Sequence, residues 1–296
     1  MKPSENPPIC RYFESPQALI DAVDAAQRRS PRKRARHLVD GDSHGGISVG
    51  IADSWEAFKR LAMEGSPELA AQVEKLRASV DSIIDRIRAR AEGLVYDVAG
   101  QWLDVGRFLD GEQECFGSIQ SVDWGGSNAK VVRVDINVVC SAGVSQKAFA
   151  ARGAAAAAFC DLVEASGRRV EIYALRSAGK VFQGDPRHQI RVKLKAANDP
   201  LDVAKIALAV ADPGLYRRAM WSISEADGVM IDHCSPVPYR YDLLPPEQSE
   251  FADAADAVKF GHMHLRDVDS IEGFENFLRD GLKSIGLNVD GLFGAE

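Results

Sequence analysis

Cysteine is scarce in this chain. The 296 residues contain five cysteines, and no two of them form a Cys-x-x-Cys pair. An odd number of widely spaced cysteines argues against a disulfide framework and against a structural zinc site. We therefore expect a reducing compartment, most simply the cytoplasm, and neither a metal ion nor another cofactor.

Long apolar runs and an excess of basic residues are also lacking. No stretch of 18 or more apolar residues is present, so we expect no membrane-spanning helix. Acidic residues outnumber basic ones by 43 to 36, which argues against nucleic-acid binding by the molecule as a whole. The local exception is a basic run formed by Arg28, Arg29, Arg32, Lys33, Arg34 and Arg36. This run could contact phosphates or an acidic partner, or it could be a solvated arm.

The second half of the chain alternates between strand and helix patterns. Residues 131–140 read as a strand, the Ala-rich run that follows reads as a helix, and residues 169–175 read as a second strand. A short connection leads to residues 189–196, which suits an antiparallel strand because it is too short for a crossover helix. This order predicts an α/β fold with a mostly parallel, doubly wound sheet.

Three regions follow from these patterns. Residues 1–45 are predicted to be a flexible basic lead-in, and residues 46–115 a helical N-terminal region. Residues 116–296 form the predicted α/β domain, in which residues 116–123 and 130–140 are expected to make a hairpin.

The first strand of that domain carries polar residues at every second position. Arg133, Asp135 and Asn137 alternate with valines and an isoleucine, so the polar side chains share one face of the sheet. We expect an Arg133–Asp135 pair on an exposed sheet face, or alternatively a polar groove beneath the N-terminal helices.

The order of strands and helices resembles the von Willebrand factor A-like fold over about residues 130–286. Proteins of that fold bind a metal ion through an Asp-x-Ser-x-Ser motif after the first strand, with further ligands after the third and fourth strands. Here the first position reads Cys140-Ser-Ala-Gly-Val-Ser, which has the serines without the aspartate. The resemblance therefore implies a degenerate metal site, since a hard divalent cation prefers carboxylate ligands. Its remaining polar residues are Ser141, Ser145, Asn198, Asp199, Asp232 and His233.

Two segments also resemble uncharacterised proteins of bacteriophages and their hosts. They are the twelve residues from Gly100 to Gly111 and the Arg152-Gly-Ala-Ala stretch. This resemblance implies no activity, but it implies a phage association and a virion location if the protein is structural.

These observations favour a non-enzymatic protein-interaction or assembly module, with a protein partner or self-assembly as its mode of action and no catalytic residues. One alternative is a hydrolase or nucleic-acid-processing enzyme that uses Cys140, Asp199, Asp232 and His233, because a nucleophile needs a base within hydrogen-bond reach. A second alternative is a nucleic-acid-binding accessory protein that acts through the basic run.

Overall fold

The computed structural model of the chain describes residues 9–29, 54–78, 81, 85, 92–121, 131–138, 146–178, 188–211, 214–228, 258–260 and 271–286. The strands are β1 (Ile9–Phe13), β2 (Glu92–Asp97), β3 (Trp102–Leu103), β4 (Phe116–Ser121), β5 (Val131–Asn137), β6 (Arg169–Ala178), β7 (His188–Lys195) and β8 (Val258–Phe260).

The helices follow the apolar periodicity of the sequence. They are α1 (Pro16–Arg29), α2 (Trp55–Glu64), α3 (Pro67–Ala78), α4 (Val105–Leu109), α5 (Gln146–Ala165), α6 (Val203–Ala211), α7 (Gly214–Ala226) and α8 (Ile271–Ser284). None of these helices is both long enough and apolar enough to cross a membrane.

The larger sheet has five described strands in the order β1-β7-β6-β5-β8. Strand β5 is parallel to β6 on one side and to β8 on the other, and β1 is parallel to β7. Only the β6–β7 pairing is antiparallel, as the short connection between these strands predicts. The chain is thus a mixed α/β protein with a mostly parallel sheet, which confirms the predicted class.

One face of this sheet supplies the apolar core. Val132, Val134 and Ile136 of β5 are buried and pack with α5, α6 and α8 in one apolar cluster. Five consecutive alanines of α5, residues 154–158, are almost fully buried, because small side chains allow the helix to lie close to its neighbours. At Gly153 the same helix passes α3 so closely that an added Cβ would lie 2.8 Å from Val73.

The N-terminal strand and helix belong to this core. Residues 9–29 were expected to be part of a flexible lead-in, yet β1 pairs with β7 along its whole length. Leu19, Ile20 and Val23 of α1 are at most 3% exposed and belong to an apolar cluster with α2 and α7. Their helical spacing is the reason: it forms an apolar stripe that must be buried.

Strand β4 lies in a different sheet from β5. The expected hairpin between them is wrong, because β4 pairs with β2 and β3 in a separate three-stranded antiparallel sheet of order β2-β4-β3. Loop composition alone indicated a hairpin, but it does not specify which neighbour supplies the backbone hydrogen bonds.

A two-residue junction connects α2 to α3. Gly65 has a φ of 82°, and its N–H donates to the Leu61 carbonyl at 2.8 Å. The Ser66 N–H donates to the carbonyl of Ala204 in α6 at 3.0 Å, and the Ser66 hydroxyl accepts from the Leu69 N–H at the start of α3. The junction therefore lies directly against the backbone of α6.

Candidate functional site

Most residues of the predicted degenerate metal site lie outside the described residues. These are Ser141, Ser145, Asp232 and His233, together with Cys140 of the alternative hydrolase site. Of the basic run, Arg32, Lys33, Arg34 and Arg36 also lie outside them. Arg28 is exposed near the end of α1, where cations interact favourably with the helix dipole, and Arg29 is the last residue of that helix.

Asn198 and Asp199 are exposed in the turn that follows β7. The Asp199 carboxylate closes this turn by accepting the Ala196 N–H at 3.1 Å. Because β7 is antiparallel to β6, its last residues pair near the beginning of β6, whereas Ser141 and Ser145 come after the opposite end of β5. The structure thus places Asn198 and Asp199 towards the edge at which β5 and β6 begin.

Asp135 forms a buried ion pair with Arg191 on the polar face of the larger sheet. The Arg191 Nε and Nη2 atoms lie 2.9 Å and 2.8 Å from Oδ1 of Asp135, and both residues are only 2% exposed. The guanidinium also lies over the ring of Tyr173, 4.0 Å from its centroid. The predicted exposed sheet face is therefore wrong at Asp135, while Arg133 pairs with Glu171 at 3.4 Å.

A second polar array joins β1, β7 and the end of α7. The His188 ring lies 2.9 Å from the Ser224 hydroxyl through Nδ1 and 3.0 Å from the Asp227 carboxylate through Nε2. Arg11 donates two hydrogen bonds to the same carboxylate, at 2.9 and 2.5 Å, and Arg176 donates to the Ser224 hydroxyl. The Asp227 carboxylate only accepts, so His188 Nε2 is the donor of that contact, while the Ser224 hydroxyl also donates to the Met220 carbonyl at 3.1 Å.

This array contains the three residue types of a hydrolytic triad, but its nucleophile position is inaccessible. Ser224 is fully buried in α7 and its oxygen already accepts from Arg176. A catalytic serine must approach the carbonyl carbon of a substrate, so its oxygen has to reach a cleft. The array instead links an edge strand to a helix end.

Acid titration of the array is expected to destabilise the protein. Burial lowers the pKa of His188 from its ordinary 6.5, the hydrogen bond to Asp227 opposes this, and the positive charge of Arg176 adds to the lowering. Because the unfolded chain then binds more protons, the free energy of unfolding decreases as pH falls from 6.5 towards the lowered pKa. Urea unfolding between about pH 7.5 and pH 5 should show this slope, and His188→Gln should flatten it. An unchanged slope in the variant would contradict the assignment.

Asp227 contributes in a second, more acidic window. Burial raises the pKa of this carboxyl, but the hydrogen bonds from Arg11 and His188 outweigh burial and hold its pKa below the ordinary 3.8. Its stabilising contribution is therefore present above that pH and is lost as pH falls through the lowered pKa.

The smaller sheet carries an exposed apolar surface. Six large apolar residues lie there in the β2–β3 turn, in β3 and in α4, with exposed fractions from 38% for Leu103 to 76% for Leu109. We call this the apolar surface; it consists of Val98, Trp102, Leu103, Val105, Phe108 and Leu109. In α4 its members stand at positions i, i+3 and i+4, which share one side of a helix.

The opposite side of α4 is held by polar contacts. The Asp104 side chain caps the helix by accepting the Arg107 N–H at 3.2 Å, and it also accepts the Tyr96 hydroxyl at 3.0 Å. Arg107 lies over the Tyr96 ring at 3.9 Å and donates to the Glu114 carbonyl at 3.1 Å. The backbone hydrogen bond from Arg107, followed by the bond from Tyr96, holds the pKa of Asp104 below its ordinary value. These contacts fix α4 with its apolar side towards solvent.

The indole ring of Trp102 lies against Gly117 of β4, which has no side chain to displace it. A Cβ built on Gly117 of β4 would lie 2.6 Å from the indole ring, so any larger residue there would displace the ring. Gly100 likewise lies against the Gly117 carbonyl, at 2.6 Å from its virtual Cβ. The tryptophan is thus in contact with strand β4 while 39% of its surface remains exposed.

Sequence reasoning did not identify these sites. His188, Ser224 and Asp227 come from separate elements and form no local motif, so only the tertiary fold could reveal them. The apolar surface did have a signal: residues 98–109 combine apolar residues at helical spacing with aspartates and a guanidinium. Among the described side chains, no three His, Cys, Asp or Glu residues are grouped so as to hold a metal ion.

Comparison with known proteins identifies a family but no activity. No curated protein and no solved structure matches the chain. A family model described as "Domain of unknown function (DUF7192)" matches residues 5–287, which is most of the chain. The match extends over both sheets, so the chain belongs to this family of unknown function.

Proposed function

We propose that the protein is a non-enzymatic interaction or assembly module that binds a partner protein through the apolar surface. The observation that carries this proposal is the exposure of six large apolar side chains on one small sheet and its helix. Single exposed apolar residues are common, but groups of them mark sites of interaction in soluble proteins.

The rigidity of the surface supports binding rather than incidental exposure. The Asp104 side chain caps α4, the Arg107 guanidinium packs on the Tyr96 ring, and the Trp102 indole lies against Gly117. A surface that is ordered before binding loses less conformational entropy when the partner arrives. Tryptophan and phenylalanine are also suited to this role because large aromatic side chains supply much of the binding energy at interfaces.

The von Willebrand factor A-like assignment remains part of this proposal. The strand order β7-β6-β5-β8, with its single antiparallel pairing, supports it. Strand β1 departs from the expected pattern, because it adds a further strand outside the antiparallel one. In this proposal the rim with Ser141, Ser145, Asp232 and His233 is a second binding surface that has lost its metal-binding carboxylate.

The alternatives depend on other parts of the chain. A hydrolase would use Cys140, Asp199, Asp232 and His233, and a nucleic-acid-binding protein would use the basic run from Arg28 to Arg36. Phage association and a cytoplasmic or virion location also stay predictions.

The double substitution Phe108→Ser and Leu109→Ser is expected to abolish partner binding without unfolding the protein. Both side chains are more than half exposed, so their combined loss should change the free energy of unfolding by no more than about 1 kcal/mol. The partner is first identified in the native host with a photo-crosslinking amino acid at Phe108, using the same amino acid at Tyr12 as a control. Tyr12 is 41% exposed on β1, so it samples a different solvent-facing site.

The proposal requires one protein to crosslink from position 108 but not from position 12. The purified partner must then bind the unmodified protein and fail to bind the double variant, measured by isothermal titration calorimetry. Equal binding by both forms would refute the apolar surface as the docking site.

A further inference from the structure

The segment that carries the apolar surface is strongly acidic. Residues 92–121 contain six carboxylate side chains and one basic side chain, Arg107. Four of the carboxylates are exposed, and two of them directly adjoin members of the apolar surface in sequence; the four, which we call the acidic rim, are Asp97, Asp110, Glu112 and Glu114. The local charge is thus much more acidic than that of the chain as a whole.

The one basic side chain does not neutralise this rim for an incoming partner. Arg107 packs on Tyr96, donates to the Glu114 carbonyl and pairs with Glu112 at 3.2 Å. Asp104 is likewise engaged, because it caps α4 and accepts from Tyr96. Asp97, Asp110 and Glu114 remain as exposed carboxylates at the border of the apolar residues.

We infer that the partner presents a basic amphipathic segment, with apolar side chains that cover Trp102, Phe108 and Leu109 and with Lys or Arg residues that face the acidic rim. This inference rests on the proposed function, and it adds the chemistry of the partner. Interfaces match opposite potentials, and like charges brought together exclude the wrong partners. The rim therefore disfavours nucleic acids and anionic membranes, both of which carry negative charge.

A membrane without net charge is the remaining competitor. Exposed Trp, Phe and Leu side chains also insert into the interface of a bilayer, and a zwitterionic surface would not repel the rim. The number of exposed carboxylates favours a basic protein segment, since a neutral bilayer gives these charges no counterpart.

The test uses the full chain and three synthetic helical peptides. The peptides share their length and leucine positions and carry Lys, Gln or Glu at all other positions. At low salt the Lys peptide is expected to bind about tenfold more tightly than the Gln peptide, and the Glu peptide more weakly than both. The difference should shrink as salt is raised, since exposed charges are screened over about 10 Å at 0.1 M ionic strength.

Three variants assign the effect to the surface. Neutralising the rim by Asp97→Asn, Asp110→Asn and Glu114→Gln should weaken the Lys peptide about tenfold and leave the Gln peptide unchanged. The matched control Asp21→Asn, Glu64→Gln and Glu68→Gln removes three exposed charges from other helices and should leave both peptides unchanged. The Phe108→Ser, Leu109→Ser variant should weaken both peptides.

The outcomes separate this inference from the proposed function. Suppose that the Lys and Gln peptides bind equally and that the Phe108→Ser, Leu109→Ser variant binds neither peptide. The proposal that the apolar surface binds a partner is then supported, and the inference that the partner is basic is overturned. The inference also fails if the Lys peptide does not bind, or if it binds the Phe108→Ser, Leu109→Ser variant as tightly as the unmodified protein. Sedimentation with phosphatidylcholine vesicles that depends on these two residues would favour a membrane and overturn both proposals.

Discussion

Replacing Asp135 by Ala is expected to lower the free energy of unfolding by about 3–5 kcal/mol, because it removes the carboxylate that two nitrogens of the buried Arg191 guanidinium contact. Both residues are 2% exposed, and two guanidinium nitrogens lie within 2.9 Å of the carboxylate. Urea unfolding followed by circular dichroism at neutral pH measures the change.

The double variant Asp135→Ala, Arg191→Met tests this explanation. If an uncompensated charge causes the loss, removing the arginine as well should restore part of the stability, because an apolar side chain tolerates burial. Methionine is flexible enough to lie along the Tyr173 ring, which the guanidinium now covers at 4.0 Å. If the stability losses of Asp135→Ala and Arg191→Met simply add in the double variant, the two side chains act independently and the explanation is wrong.

Gly65→Ala is expected to cost several times more stability than Gly111→Ala. Both glycines have positive φ, 82° and 77°, so each alanine incurs the left-handed backbone penalty of about 1–2 kcal/mol. At Gly65 the new Cβ would also lie 2.7 Å from the backbone carbonyl carbon and from the Cβ of Ala204, whereas at Gly111 nothing lies within 4 Å. Crowding of this kind adds about 1–3 kcal/mol.

The comparison isolates the contact between the α2–α3 junction and α6. Urea unfolding of both variants should place Gly111→Ala about 1–2 kcal/mol below the unmodified protein, from the backbone penalty alone, and Gly65→Ala further below it by the cost of crowding. Because Ser66 donates to the Ala204 carbonyl, the junction cannot withdraw without breaking that hydrogen bond. Equal losses in the two variants would mean that α6 yields easily and that the close approach has little energetic importance.

The sequence predicts which segments form strands and helices better than it predicts which elements pair with each other. Alternation along β5 and the helical stripes of α1 and α8 indicate the type of each element and one buried face, since both follow from period alone. The partners of β1 and β4 are not predictable in this way, because a strand pattern states that hydrogen bonds are needed but not which strand supplies them. Asp135 shows the same limit: its pattern indicates a polar face, yet its burial depends on Arg191, which lies 56 residues further along the chain.

The apolar surface could be predicted from the sequence only in part, for a related reason. An apolar residue at helical spacing ordinarily indicates a buried face, so Val105, Phe108 and Leu109 suggest core packing. The polar contacts of Asp104 and Arg107 reverse this orientation by drawing the other side of α4 onto the sheet. The signal that remains in the sequence is the dense acidic border, because core helices are seldom flanked by so many carboxylates.

The position of β1 has a consequence for how the chain is made. Cys10 in this strand meets Gln189 in β7, a partner 179 residues further on, and the two strands run parallel. At roughly 5–20 residues per second, the ribosome delivers that partner on the order of 10–40 seconds after β1 emerges. Until then the nascent strand has exposed backbone hydrogen-bonding groups that can join another sheet, so the yield of folded protein should depend on chaperones that shield this strand.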